Sequence, residues 1–515
     1  MAAVQPRTPA WARELLGVTT AVAIAVAIVA FTASTPRAAL LLDDGDSLVT
    51  TLVIRSIAAG QPQDWAMSSV LFVPETSVLA LLTSLGLGVD GTLLLAGVVN
   101  MVGLYGALRV ASGARGRAGA PVAGALLGLA AFAALAATET SPDRDAFEPA
   151  SLLLTTTYYS ATVIGAVVAV GLARRGLESG RRSHVWLLAA VAAASVATNP
   201  LFAAWAAVPL GAVLALVAVR AATAGPVRGI AVRLGVALVA GSVAGFLVRI
   251  PLAPLIANSG AGYADPSRAL ESLGYYAALA AERMSHPSGA VAAVAGVGLW
   301  VWCLTAAVRL RRRRRRGPAL VATFGWLAPL VVAIGAVVLG TEATRYLQPI
   351  AFAPVLGLVV VPDLMPRSRR SRIAVPVLAV ASTAALVAAA VLAGPRLVTS
   401  ATTPDADLDC VVEWTDASAR TGAGQFWTIR LPKAHVADPG SLVQVDHELR
   451  GYAWLVNRAD FAVGEVSFLV VDAQTAAFAL PDGRAMTDAA AVVPCGRYTI
   501  VDFGDRPLPI GPLRS

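Results

Sequence analysis

Apolar residues dominate the first 394 positions, where they form long runs separated by short polar segments. A helix needs about 20 consecutive apolar residues to cross the hydrocarbon core of a bilayer. The runs that approach this length lie near residues 14–34, 91–109, 119–138, 156–173, 184–199, 201–219, 229–249, 289–308, 318–340, 346–362 and 373–393. We therefore predict a polytopic α-helical membrane protein with about 11 transmembrane helices.

Two of the apolar runs need separate interpretation. The first follows Arg7 and Arg13, as a signal peptide or an uncleaved anchor would, and its length and the ten later runs favour the anchor. The run 76–88 comes after Pro74 and Glu75 and is too short to cross. It predicts an interfacial or re-entrant helix.

Arginines cluster at alternate ends of the runs. By the positive-inside rule, such clusters mark the cytoplasmic side. The clusters are Arg7 and Arg13; Arg109, Arg115 and Arg117; Arg174, Arg175, Arg181 and Arg182; Arg220 and Arg228; Arg309 and Arg311–Arg316; and Arg367, Arg369, Arg370 and Arg372. This pattern predicts an amino terminus inside the cell and a C-terminal region outside it.

Composition supports this class of protein. The chain is 57% hydrophobic and 14% charged, with a mean hydropathy of +0.69, whereas soluble domains carry about 25% charged residues. The net charge of +8 lies in the clusters at the ends of the runs, so it indicates topology and not nucleic-acid binding. The abundance of arginine beside a single lysine is typical of a GC-rich bacterial genome, which favours a plasma-membrane location.

The chain has a second domain at its C-terminus. Residues 1–394 form the predicted transmembrane domain, and residues 395–515 form a soluble extracytoplasmic domain. The strings "CVVEW", "FWTIRL", "SLVQV", "VSFLVV" and "RYTIVDF" are bounded by Gly, Pro and Asp, which predicts a β-rich or mixed α/β fold. Cys410 and Cys495 bracket this domain and suggest either a disulfide in an oxidising compartment or two unrelated buried thiols.

The candidate chemistry begins in the first outer loop, residues 35–90. Its segment "DSLVTTLVIRSIAAG" has the spacing of an interfacial amphipathic helix, and "ALESLGYYAALAAERM" in the loop 250–288 has the same character. Asp43, Asp44 and Asp46 lie just after the first apolar run. Charges that close to hydrocarbon are costly, which favours a function. Asp46 or Ser47 is also a good N-cap, so a purely structural role stays open.

An outer location limits the reaction that such carboxylates serve. A transfer reaction there needs a donor that crosses the membrane, and lipid-linked phosphates are the obvious class. In glycosyl transfer, a carboxylate takes the proton of the acceptor hydroxyl. Negative charge then builds on the departing phosphate, which arginine binds with its planar fork of donors.

Three stretches resemble one superfamily. "DDGDSLVTTLVIRSIAAGQPQDW" (43–65), "FVPETSVLALLTSLGLG" (72–88) and "TRYLQPIAFAPVLGL" (344–358) resemble the first outer loop and a late span of GT-C fold membrane glycosyltransferases. The likeness is to the branch of protein O-mannosyltransferases and aminoarabinose transferases. Where those enzymes carry Asp-Glu, this chain offers Asp43-Asp44 or Asp44-Gly45-Asp46, and Val73-Pro74-Glu75 replaces their His-Pro-Pro.

The resemblance implies an inverting transfer of a sugar from a polyprenyl-phosphate donor to a cell-envelope glycan, lipid or protein. Asp44 would be the base, with Asp43 or Asp46 orienting it or the acceptor. The donor phosphate would be held by Arg345 and Tyr346, with help from Arg55, and Glu75 would lie on the acceptor side. Some relatives use a divalent cation at the first-loop acids, so Mg²⁺ or Mn²⁺ is a possible cofactor.

Several alternatives stay open at this stage. Arg345 also fits a snorkelling interface residue, and Glu75 fits an acid in the first turn of a helix. A secondary transporter or lipid flippase would place ionisable residues at mid-membrane depth, whereas here they collect at the outer rim. A non-enzymatic envelope-assembly protein would tolerate loss of the three aspartates.

Overall fold

A computed structural model describes residues 9–114, 121–221, 225–257, 262, 264–365 and 374–514. Within these ranges, eight helices are long and apolar enough to cross a membrane, or nine if one bent pair forms a single span. Two of the eight, Ala203–Arg220 and Thr344–Leu364, consist of consecutive shorter helical segments. The helices of the transmembrane domain are α1 (Ala10–Ala33), α2 (Ala38–Leu42), α3 (Val49–Ala58), α4 (Val73–Thr83), α5 (Gly88–Ala111), α6 (Pro121–Ala136), α7 (Ser160–Ser179), α8 (Arg182–Thr198), α9 (Val208–Arg220), α10 (Pro226–Arg249), α11 (Ala269–Ser285), α12 (Pro287–Arg312), α13 (Arg316–Val338), α14 (Pro349–Phe352), α15 (Leu356–Val359), α16 (Val361–Leu364) and α17 (Ala374–Thr402).

Helical structure occurs at each of the eleven predicted spans, but not all of it is long enough to cross. Helix α6 has 16 residues and α8 has 17. The part of α17 from Leu386 to Thr402 is long enough to cross a membrane only together with the helix that follows it, and the two are bent by 42°. The structure therefore supports a bundle of eight or nine spans. The shorter predicted helices occur as α3, α4 and α11.

One end of the bundle, which we call the arginine-rich end, carries acids that are already paired. Glu14 lies 2.7 Å from Arg109, and Glu178 lies 3.2 Å from Arg174. Asp363 binds both Arg174 and Arg315. These three acids are the ones that share the predicted inner side with the arginine clusters, and they are used there in ion pairs. The opposite end, the loop end, carries the loop 34–48 and the C-terminal domain.

The C-terminal domain is a mixed α/β fold. Its helices and main strands are α18 (Ala406–Ser418), β2 (Gly422–Gln425), α19 (Phe426–His435), β3 (Leu442–Val445), β4 (Arg450–Tyr452), β7 (Phe468–Val471), β8 (Ala491–Cys495), β9 (Tyr498–Asp502) and β11 (Gly511–Arg514). The seven strands form one sheet in the order β11-β4-β3-β2-β7-β9-β8, with β2 parallel to both β3 and β7. Three short strands, β5 (Val456–Asn457), β6 (Glu465–Val466) and β10 (Leu508–Pro509), lie outside that sheet.

Two of the five apolar strings are helical. "CVVEW" lies in α18, whose N-cap Asp405 accepts hydrogen bonds from the backbone N–H groups of Asp407 and Leu408. "FWTIRL" lies in α19. A short apolar run has no period that separates a strand from a buried helix, so the sequence left a β-rich and a mixed α/β fold open. The other three strings overlap β3, β7 and β9.

The C-terminal domain is fastened within itself and to the first outer loop. A disulfide joins Cys410 in α18 to Cys495 at the end of β8. A short antiparallel ladder pairs β1 (Trp65–Ala66) of the loop with β5 of the domain. Beside it, the buried Asn457 side chain donates to Ser56 and to the Pro62 carbonyl oxygen. The domain is therefore docked on the loop end of the bundle.

Candidate active site

The loop after α1 folds into a turn around Asp44. Its Oδ1 accepts hydrogen bonds from the backbone N–H of Asp46 at 3.0 Å and of Ser47 at 3.3 Å. The Ser47 hydroxyl donates to the Leu40 carbonyl oxygen at 2.6 Å. This Asx-type turn is the local structure that Asp and Ser favour. It fixes the Asp44 carboxylate just outside the first span.

Two side chains from the loop between α6 and α7 meet Asp44. Arg144 lies 2.8 Å from its Oδ2, and the Tyr158 hydroxyl donates to Oδ1 at 3.1 Å. The side chain of Asp44 is only 9% exposed. A buried carboxylate with these partners has a defined orientation, and only Oδ2 keeps room for a further hydrogen bond.

The loop that supplies Arg144 and Tyr158 is held by a buried arginine. The Arg37 side chain is fully buried and donates to Ser151 Oγ and to the carbonyl oxygens of Ser141, Asp143 and Glu148. A guanidinium has five donors in a rigid fork, so one residue can hold several backbone positions. Arg37 therefore shapes the loop that faces Asp44.

Arg345 brings a second guanidinium to the cluster. It lies in the short 3-10 helix Thr344–Leu347, and its charge interacts with Tyr159 and Tyr346. The guanidinium carbon is 5.7 Å from the centre of the Tyr346 ring. Asp46 is the carboxylate that interacts most with the Arg345 charge. The Asp46 side chain makes no hydrogen bond within the part of the chain that the structure describes.

Helix α19 of the C-terminal domain covers the turn. Arg430 is fully buried, donates from Nε to the Gly45 carbonyl oxygen at 2.7 Å, and leaves Nη2 with no hydrogen-bond partner among the described residues. A Cβ on Gly45 would lie 3.1–3.2 Å from Phe426, Arg430 and Trp427, so the close approach favours glycine. The Arg144 guanidinium stacks 3.5 Å from the centre of the Trp427 ring.

The electrostatics of the cluster follow from burial. Loss of water, with help from the neighbouring Asp46, raises the pKa of Asp44 to about 6, although Arg144 and Tyr158 oppose the rise. Burial lowers the pKa of Arg430 to about 10, although Asp46 and Asp44 oppose that shift. A carboxylate whose pKa lies near neutral pH is suited to accepting a proton.

The structure places three predicted site residues away from this cluster. Asp43 is exposed and faces Arg497, Asp90, Asp405 and His435 instead. Arg55 donates to the carbonyl oxygens of Val436 and Ala437 at the C-terminal end of α19.

Glu75 is the third of these residues. It is buried, and its Oε1 accepts from the Ala161 N–H at the start of α7, 3.2 Å away. Burial raises the pKa of Glu75 to about 7. A carboxylate at a helix N-terminus is stabilising, so Glu75 holds the segment that carries Tyr158 and Tyr159.

The aspartates do not fit a divalent cation. Mg²⁺ and Mn²⁺ need several free oxygen ligands. Asp44 already uses its oxygens for Arg144, Tyr158 and the turn, and Asp43 faces elsewhere. Among the described residues, no group of three or more His, Cys, Asp or Glu side chains is arranged to hold a metal ion.

Three residues of this cluster were missed from the sequence: Arg144, Tyr158 and Arg430. Tyr158 lies at the outer end of a predicted span, where an aromatic residue is typical of an interfacial anchor, and no motif surrounds the other two. Arg144 did carry one signal, since it is an arginine in an otherwise acidic predicted outer loop. No protein-family model matches the chain, and no curated protein is recognisably similar to it.

Proposed function

We propose that this chain is a membrane glycosyltransferase that moves a sugar from a polyprenyl-phosphate donor to a hydroxyl of a cell-envelope acceptor. The reaction takes place at the loop end of the bundle, on the outer face of the bacterial plasma membrane. The chain has the GT-C topology that the three sequence motifs imply, with its amino terminus inside the cell. The acceptor is an envelope glycan, lipid or protein.

One observation carries the proposal: two carboxylates and three guanidinium groups converge from four separate segments. Asp44 and Asp46 come from the first loop, Arg144 from the loop before α7, Arg345 from the segment before α14, and Arg430 from α19. Arg144 pairs with Asp44, Arg345 faces Asp46, and Arg430 has an unpartnered buried nitrogen. This excess of positive charge beside acids suits an anionic donor and a proton-accepting base.

The reaction assigns roles to most of the side chains around Asp44. Asp44 Oδ2 takes the proton of the acceptor hydroxyl while the acceptor oxygen forms a bond to C1 of the sugar. The bond from C1 to the phosphate oxygen breaks, and its electron pair stays on the phosphate. Arg345, Tyr346 and Arg144 bind that phosphate, and Asp46 orients the acceptor. Tyr158 and the Ser47 N–H keep the base in position.

The donor phosphate also explains why acids and arginines are paired beforehand. Each arginine that turns to the phosphate releases a carboxylate from its ion pair. Asp44 loses the contact with Arg144 that lowers its pKa, so it becomes a stronger base when the donor is bound. The site is then most reactive only with its substrate in place.

The test is a transfer assay with purified full-length protein. Polyprenyl-phosphate sugars are supplied with envelope extracts as acceptor, and released polyprenyl phosphate is measured. We expect release with the wild type and loss with Asp44→Asn, while the exposed Asp482→Asn serves as a matched control. Equal release by Asp44→Asn and wild type at equal protein level would overturn the proposal and favour a transporter or an assembly protein.

A further inference from the structure

A cleft of about 460 Å³ lies at the junction of the first outer loop and the C-terminal domain. Ligand sites in proteins are typically about 300–1,000 Å³. Gln61 and Pro62, just after α3, form one wall. The other walls come from the end of α18, the start of β2, and the segments 437–441 and 459–463. The cleft is separate from the Asp44 cluster, which contacts α19 instead.

The lining of the cleft is polar and carries negative charge. Asp416 and Asp438 are both exposed there, and each accepts only neutral donors: the Ala437 N–H, and the Gly440 N–H and Gln61 amide, respectively. The cation in the lining, Arg420, is committed to Asp502 through two 2.8 Å contacts. The two carboxylates therefore keep free lone pairs and disfavour an anionic occupant.

A second observation points to a ligand. The Thr415 side chain lines the cleft and is 1% exposed, and its hydroxyl has no hydrogen-bond partner among the described residues. An unsatisfied buried hydroxyl destabilises the folded state, and a bound hydroxyl group would offset that cost. Ser441 and Thr421 add two more hydroxyls nearby.

We infer that this cleft binds a neutral, hydroxyl-rich oligosaccharide. Carboxylates accept hydrogen bonds from neighbouring sugar hydroxyls, and Pro62 and Val463 offer small apolar patches for C–H faces. Among the described residues, none of those that line the cleft is aromatic, so a flat heterocycle finds no stacking partner in them. The inference rests on the proposed function in one respect: the oligosaccharide is the acceptor glycan, held away from the reacting hydroxyl.

Binding can be measured without transfer. Full-length protein in detergent is titrated with maltohexaose and mannohexaose as neutral probes and with hexagalacturonate as an acidic probe, and affinity is followed by saturation-transfer NMR and thermophoresis. The variants are Asp416→Asn, Asp438→Asn and Thr415→Val, and Asp482→Asn is the matched surface control. The thermal midpoint of each variant shows whether it folds.

We expect a neutral probe to bind the wild type and the control equally. Affinity should fall about tenfold in Asp416→Asn and Asp438→Asn, which corresponds to loss of one strong hydrogen bond, at an unchanged thermal midpoint. The inference is overturned if no neutral probe binds, if the acidic probe binds more tightly, or if the folded variants bind like the wild type. Asp44→Asn separates the two proposals: it should bind the probe normally while its transfer rate falls by about 10²–10⁴-fold.

Discussion

The Arg144 guanidinium lies against the face of Trp427, 3.5 Å from the ring centre, although the two residues belong to different domains. Arg144 comes from the loop between α6 and α7, and Trp427 from α19. Such a cation–π contact contributes roughly 0.5–2 kcal/mol. Because Arg144 also binds Asp44 at 2.8 Å, the C-terminal domain takes part in positioning the acid cluster.

The three first-loop aspartates should differ in effect. We expect Asp44→Asn to lower the transfer rate by about 10²–10⁴-fold, the usual contribution of a general base, and Asp46→Asn to have a smaller but clear effect. Asp43→Asn should stay close to wild type because Asp43 is exposed and faces Arg497. Single-turnover transfer rates of the three variants show whether their effects follow this order. A loss in Asp43→Asn that equals that in Asp44→Asn would contradict it.

Variants of Arg345 and Arg144 should impair binding of the donor, whereas a variant of Arg55 should affect only the contact with the C-terminal domain. Arg345→Lys and Arg144→Lys each replace a forked donor with a point charge, so we expect a higher KM for the polyprenyl-phosphate donor and a lower rate. Arg55→Lys is the matched control, since Arg55 binds carbonyl oxygens of α19. It should leave the donor KM unchanged. Titration of each of the three variants with the donor gives the KM values that check this prediction.

Transfer should depend on pH through Asp44. Its pKa is raised to about 6, and a base acts only when deprotonated. The value of kcat/KM should therefore be constant above about pH 7 and fall about tenfold for each pH unit below 6. Arg144 lowers this pKa and Asp46 raises it. Arg144→Gln should thus move the midpoint to higher pH and Asp46→Asn to lower pH.

Those two shifts have opposite signs, which makes the pH profile a strict test. A general loss of folding at low pH would move both variants in the same direction. A midpoint that does not move in either variant would mean that another group is the titrating base.

Docking of the C-terminal domain should depend on Asn457. Its side chain is buried and bonds to Ser56 and the Pro62 carbonyl oxygen, so Asn457→Ala leaves polar groups of the loop without partners. The expected cost is about 1–3 kcal/mol. Hydrogen exchange should rise in β1 and β5. The exposed Gln474→Ala is the control and should exchange like the wild type.

The elements of the bundle were predictable because their signal is local. Long apolar runs end at arginine clusters, and most of the predicted spans are helices of the expected length. The exceptions are α6 and α8, whose described helices have 16 and 17 residues, and the bent helix at residues 386–402. The N-cap prediction at Asp46 or Ser47 was wrong, since α3 begins after Leu48 with no side-chain cap bond. The polar residues of this segment form the turn around Asp44 instead.

The partners of Asp44 were not predictable, because they arrive by tertiary packing. Tyr158 lies more than a hundred residues further along the chain, and Arg430 lies in another domain. The short string at residues 426–431 does not separate a strand from a helix, so it gave no sign that Arg430 contacts Gly45. A single sequence contains no local pattern that reports these contacts.

The ladder between Trp65–Ala66 and Val456–Asn457 sets an order of events during biosynthesis. The ribosome releases the first strand long before the second, so the early segment waits with its backbone groups unpaired. Trp427 likewise reaches Arg144 only after every membrane helix has been made. A chain that terminates early would therefore lack α19 over its first-loop aspartates, and the cluster can form only after the full-length chain has been made.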